Sequence, residues 1–205
     1  LVAVNHAVDI AKRFGAEIML IHVLETGAYQ GIFSPSKKTE YHELEEAKER
    51  LQNDAHKLEQ ENGISVSQEV VSGRIYEEIV RVSNEQKADL IVMGTHGVRG
   101  WAEFFVGSNS FKVVTQSPCP VLSIQGSAIK KDLQNIILPI DQTPETRQKV
   151  RFAAALAKKF GSTIHIASLL TDDEPDIRFA FEKKVEQIVG YLDREEIAHS
   201  ESVLV

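Results

Sequence analysis

The chain has 205 residues and a formal net charge of −7, from 23 Lys and Arg against 30 Asp and Glu. That length is enough for one large domain or two small ones, and the acidic balance leaves no basic footprint for nucleic acid. A single cysteine excludes an intrachain disulfide framework and any multi-cysteine zinc site, while the lack of an apolar run of about 18 residues argues against a membrane span.

Taken in order, Leu1 to Val4 reads as a short apolar strand, although the spacing of Ala7, Val8, Ala11 and Phe14 is already that of a helix. Gly15 closes the helix, and Glu17 to Leu24 is a second strand, with His22 expected as a core histidine. Residues 25–38 form a loop. Thr39 to Glu61 is a long charged helix with the apolar stripe Tyr41, Leu44, Ala47, Leu51, Ala55 and Leu58, stopped at Asn62-Gly63. Ile64 to Val71 alternates as an edge strand does, and Arg74 to Gln86 is amphipathic.

Asp89 to Ser110 is the stretch with chemistry in it. The apolar run to Met93 ends in Gly94, and Gly97, Gly100 and Gly107 follow before Ser108, Asn109 and Ser110 open a helix to Gln116. A strand exit, a glycine loop and a helix start bring backbone amides and a positive dipole end together, which suits a phosphate. Neither the P-loop lysine motif nor the dinucleotide glycine spacing is present. Pro120 to Gln125 is the last strand of this part, and Cys119, between two prolines, is read as a small buried residue rather than a nucleophile. Helices and strands alternate, which argues a parallel sheet with helices on both faces.

Beyond a polar connector, Asn135 to Asp141 is a strand, Thr143 to Phe160 a helix and Ser162 to Leu169 a strand. Asp176 to Ala198 is a further helix and Ser200 to Val205 a further strand. Residues 11–24 align with 157–170 without a gap, so the chain carries an internal repeat. Aligning Val4 with Ile140 instead changes the offset by about ten residues, which leads to the expectation of a chain break between Val4 and Asn5.

The spacing Gly94-x-x-Gly97, nine residues, Gly107-Ser108, placed after DLIVM and before SPCPVL, resembles the nucleotide signature of the universal stress protein family in its ATP-binding branch. The resemblance implies an α/β fold, a doubly wound five-stranded parallel sheet in the order 3-2-1-4-5 of the adenine nucleotide alpha hydrolase-like kind. It divides the chain into a first such domain over 1–126 and the amino-terminal half of a second over 134–205. By the family pattern, Gly94 and Gly97 bring amides to the phosphates, Gly107 permits close approach, and Ser108 with Asn109 contacts phosphate. Met93 precedes the loop, Val23 faces adenine through its backbone, and Asp141 of the second copy matches the adenine-recognising aspartate. Arg99 is a candidate phosphate cation beside the plainer reading of an exposed loop arginine; His96 could touch phosphate or face solvent; and Trp101, Phe104 and Phe105 read as packing rather than base stacking. ATP, or AMP or ADP, with or without magnesium, is the implied ligand. The implied partners are a second copy through Pro120 to Gln125, or the two repeats as a pseudo-dimer, with a cytoplasmic location and no nucleic acid or membrane.

No Ser-His-Asp set, paired carboxylates or metal cluster stands out, so nucleotide binding in a regulatory, stress-response role is favoured over turnover. An ATP-hydrolysing or adenylyl-transferring enzyme and a dimerisation scaffold without ligand stay open as alternatives.

Overall fold

The computed structural model describes residues 2–25, 37–95, 107–125, 133–141, 143, 146–170 and 174–204. The chain divides into two compact units, Leu1–Ile129 and Lys130–Val205.

In the first unit, α1 (Val2–Phe14), β1 (Ile18–Glu25), α2 (Lys37–Asn62), β2 (Val66–Gly73), α3 (Ile75–Glu85), β3 (Ile91–Gly94), α4 (Ser108–Gln116) and β4 (Val121–Ile124) follow in alternation. All pairings are parallel: β1 lies beside β2, with Ile18 opposite Val66, and β3 lies beside β4, with Ile91 opposite Val121. The two pairs form separate two-stranded sheets. The fold is therefore α/β with parallel strands, as the alternation predicts.

The expected strand at Leu1 to Val4 is not one, and neither is there a break after Val4. Val2–Phe14 is one continuous helix. Four apolar residues do not distinguish strand from helix, and Val4, Ala7, Val8 and Ala11 fall at the i, i+3, i+4, i+7 positions of one helical face. That face packs on Ile18 and Leu20 of β1, Leu58 of α2 and Val66 of β2. Alternation along β1 turns Met19 and Ile21 to the opposite side, and α3 also contacts β1. His22, expected in the core, is exposed. Along α2 the apolar stripe is covered except at its start: Leu44, Ala47, Leu51 and Leu58 are half-buried and Ala55 is 2% exposed, but Tyr41 is 66% exposed. Cys119 is half-buried, its amide donating to the Ser117 hydroxyl at 3.2 Å and the same hydroxyl donating to its carbonyl at 2.7 Å.

The second unit contains β5 (Asn135–Ile140), α5 (Thr146–Phe160), β6 (Thr163–Leu169), α6 (Pro175–Arg194) and β7 (His199–Leu204), with one parallel sheet in the order β5-β6-β7. Leu138, Ile140, Ile164 and Ile166 point to one face, where the alanines of α5 and Phe181, Val185, Ile188 and Leu192 of α6 close over them. The other face carries a polar ladder, in which the His165 ring bridges Asn135 Oδ1 at 2.8 Å and Ser200 Oγ at 2.7 Å.

The repeat shows in the helix ends. Gly15 and Gly161 both have positive φ, +65° and +68°, and the following amides reach back to equivalent carbonyls, Ala16 to Ala11 at 2.9 Å and Ser162 to Ala157 at 3.0 Å. This is the Schellman closure, which glycine enters without Cβ strain. Gly161→Ala is expected to cost about 1 kcal/mol, read as a lower urea midpoint with unchanged slope; an unchanged midpoint would show that the turn tolerates a side chain.

Candidate functional site

At the exit of β3 three chain segments are tied together. Gly94 lies opposite Ile124 in the β3–β4 register, and the Thr95 amide extends that ladder by donating to the Ile124 carbonyl at 3.0 Å. The chain then returns at Gly107, whose amide donates to the Thr95 carbonyl at 3.0 Å. Ser110, 4% exposed, turns its hydroxyl back onto the same place, donating to the carbonyls of Gly94 at 3.3 Å and Thr95 at 3.4 Å. Both ends of the 96–106 segment are thus fixed to one point at the carboxyl end of the β3–β4 sheet.

Gly107 is the N-cap of α4, with φ −55° and ψ 148° and no side-chain cap. Its backbone conformation is open to any residue; its size is what matters. A Cβ there would stand 3.0 Å from the Thr95 carbonyl oxygen, a backbone atom that cannot swing aside. The sequence reading put a capping oxygen at Ser108 to Ser110, whereas those residues are the first turn of the helix, and Ser110 spends its hydroxyl on β3. Phe111 is the first amide with an intrahelical acceptor, the Gly107 carbonyl at 3.0 Å. The amides of Ser108, Asn109 and Ser110 therefore have no carbonyl of their own helix to bind, and they carry the positive end of its dipole. Ser108 is exposed, and Asn109 and Gly107 are half-buried. Such an uncapped turn holds an oxyanion well.

Of the residues expected to act together, Met93, Gly94, Gly107, Ser108 and Asn109 are gathered here by the β3–α4 connection. Val23 sits in β1, which pairs with β2 and not with β3. Gly97 and Arg99, with His96, Trp101, Phe104 and Phe105, lie outside the described residues.

Asp141 belongs to the second unit, at the end of β5. Its Oδ1 accepts from the Thr143 amide at 3.0 Å, the Thr143 hydroxyl at 2.5 Å and the Thr146 hydroxyl at 2.8 Å, while Lys149 stands 3.6 Å from Oδ2. The hydroxyl bonds from Thr143 and Thr146, with the Thr143 amide and the Lys149 charge, hold this carboxyl well below the usual carboxylate range. Lys184 of α6 ties the same turn by donating to the carbonyls of Thr143 at 3.2 Å and Asp141 at 3.4 Å. One carboxylate oxygen is thus occupied in organising the β5–α5 turn, and only Oδ2 is turned outward. Thr95, Thr146 and Lys184 are not among the sequence candidates, and Ser110 is one only as a helix cap. The hydroxyls stand within five residues of glycines or of Asp141 and could have been suspected, but nothing in the sequence links Lys184 to a turn some forty residues earlier.

Among the described residues no group of His, Cys, Asp and Glu could hold a metal ion, and no helix is long and apolar enough to cross a membrane.

The model of the universal stress protein family matches residues 1–125, more than half of the chain. The chain belongs to the universal stress protein family. It is 35% identical to Universal stress protein MJ0531 of Methanocaldococcus jannaschii over 127 residues, 61% of this chain and 74% of that protein. With Universal stress protein YxiE of Bacillus subtilis it shares 31% identity over 131 residues, 60% of this chain and 88% of the relative. Among solved structures, a universal stress protein from Archaeoglobus fulgidus superposes with a TM-score of 0.75 over 98% of this chain and 71% of its own, at 20% identity, a likeness of fold alone. Universal stress protein UspA from Lactobacillus plantarum gives 0.51 at 26% identity, over 60% of this chain and 87% of its own.

The Asp141 turn has a pH signature. Because the folded carboxyl ionises below its unfolded value of about 3.9, the stabilisation is complete above that value and is lost as pH falls below it. This universal stress protein should therefore lose stability on acidification below about pH 4, by a modest amount because the group is solvent-screened. Asp141→Asn should flatten that part of the curve in chemical denaturation across pH; an unaltered acid limb would mean that the carboxylate does not hold the turn.

Proposed function

We propose that the first unit binds an adenine nucleotide, with the phosphates on the first turn of α4 and the binding serving a regulatory, stress-response role rather than turnover. The observation that carries this is the Gly107 pin, which holds three amides without helical acceptors at the carboxyl end of a parallel sheet and would bring a Cβ within 3.0 Å of the Thr95 carbonyl oxygen. Membership of the universal stress protein family supports the same reading, as does the resemblance of the Gly94, Gly97, Gly107 and Ser108 spacing to its ATP-binding pattern.

In this proposal Gly94, Gly97 and Gly107 give the phosphates access to backbone, Ser108 and Asn109 bind oxygens, and Arg99 adds a cation with or without magnesium. Met93 leads into the loop and Val23 offers its backbone to adenine. The ligand is proposed to sit at the carboxyl end of the parallel strands, where doubly wound sheets bind. The second unit is proposed as a second domain of the same family, with Asp141 as its adenine contact through Oδ2. β4 has β3 as its neighbour and no strand on its other edge among the described residues, which supports pairing with a second copy along that edge.

ATP binding by calorimetry tests the reading. Gly107→Val is expected to weaken ATP at least about tenfold, equivalent to about 1.4 kcal/mol, with the circular dichroism spectrum retained. Unchanged affinity in a folded variant would remove the α4 start from the site.

A further inference from the structure

We propose that Ser200, His165 and Asn135, on the face of the β5-β6-β7 sheet turned away from α5 and α6, form a nucleophilic site that cleaves activated carboxylic esters. The site lies wholly within the second unit and does not depend on the nucleotide reading.

Each strand contributes one member. Ile137, His165 and Ser200 stand side by side in the register, and alternation along β5 puts Asn135 on the same face as Ile137. Asn135 and Ser200 are exposed and His165 is half-buried, whereas Leu138, Ile164 and Ile166 of the intervening positions are buried under the helices. His165 Nδ1 lies 2.7 Å from Ser200 Oγ, and Nε2 lies 2.8 Å from Asn135 Oδ1. A carboxamide oxygen only accepts, so Nε2 carries the ring proton and Nδ1 keeps its lone pair for the Ser200 hydroxyl. A hydroxyl on a base, with the base held by a third group, is the arrangement that acyl-transfer sites share on unrelated folds, in some with Asn as the third member. Asn135 and Ser200 stand 30 and 35 residues from His165, so only the strand pairing brings them together.

In the reaction Ser200 Oγ attacks the ester carbonyl carbon and its proton passes to His165 Nδ1. The bond to the leaving oxygen then breaks, the alcohol departs with that proton, and Ser200 holds the acyl group. Water follows the same path: it gives a proton to Nδ1, its oxygen attacks the acyl carbon, Ser200 Oγ recovers the proton and the acid is released. A donor for the oxyanion lies on the outer edge of β7. The Ile164 amide donates to the Ala198 carbonyl at 2.8 Å, so Ala198 and Ser200 turn their backbone to β6 and Glu201 turns its own outward. Among the described residues β7 has no strand neighbour besides β6, which leaves the Glu201 amide, next to the nucleophile, outside the ladder. Ile137, 73% exposed beside His165, offers apolar ground to an aryl or short alkyl group. These features select a small, uncharged ester.

The probe is para-nitrophenyl acetate, given to the full chain, with nitrophenolate release followed by absorbance and the acetyl group located by peptide mass spectrometry. Acetyl on Ser200 is expected, with release lost in Ser200→Ala. His165→Ala should slow release at least about a hundredfold, and added imidazole should restore part of it; His165→Gln serves where alanine unfolds the sheet. Asn135 is a positioning residue, so Asn135→Ala should slow release about tenfold, the fold-change of one hydrogen bond, while Asn135→Asp, which keeps the acceptor, should stay close to the parent. The proposal is overturned by acetyl mapping away from Ser200, by release at the parent rate in Ser200→Ala or His165→Gln, or by Asn135→Asp reacting no faster than Asn135→Ala.

Discussion

One hydrogen bond, from the Gly107 amide to the Thr95 carbonyl, decides how the candidate phosphate site is built. Thr95 is itself tied to Ile124, so the ends of β3 and β4 and the beginning of α4 form a single bonded set. Were Gly107 free, the first turn of α4 could drift and a serine could swing round to cap it. Fixed as it is, with Ser110 drawn back onto β3, the turn keeps three amides without a helical acceptor. Glycine is favoured by proximity rather than by backbone angle, since its φ is ordinary and a Cβ would crowd the Thr95 carbonyl oxygen at 3.0 Å. The site is thus made by main chain, which favours an oxyanion without selecting its remainder.

The two units end their first helices identically, through the Gly15 and Gly161 turns, yet begin them differently. In the second unit β5 leads through Asp141, Thr143 and Thr146 into α5, and the carboxylate serves as an acceptor for three donors. In the first, α1 runs straight from Val2, and no described strand takes the place of β5 beside β1. Among the described residues β1 and β3 each have a single strand neighbour.

Much of this was legible in the sequence, and the misreadings have physical causes. Long periodic segments such as Ile75–Glu85 and Pro175–Arg194, and apolar strands flanked by glycine, read true within a few residues because burial dictates both pattern and structure. Leu1 to Val4 misled because four apolar residues fit either period. His22 misled because an apolar run implies two buried faces, while only part of β1 is covered. Tyr41 continues the stripe of α2 past the point where a partner exists. At the site, the glycines announced close approach, but the turning of Ser110 onto β3 and the reach of Lys184 to the Asp141 turn depend on tertiary packing that no local spacing encodes.

The central claim is that phosphate, held by main-chain amides at the α4 start, supplies most of the binding energy for a nucleotide. Comparing the affinities of ATP, AMP and adenosine for the unmodified chain by calorimetry tests it most directly. The account predicts a fall from ATP to AMP and a loss of at least about a hundredfold, roughly 2.7 kcal/mol, on reaching adenosine. Adenosine binding as tightly as ATP would place recognition on the base and contradict it.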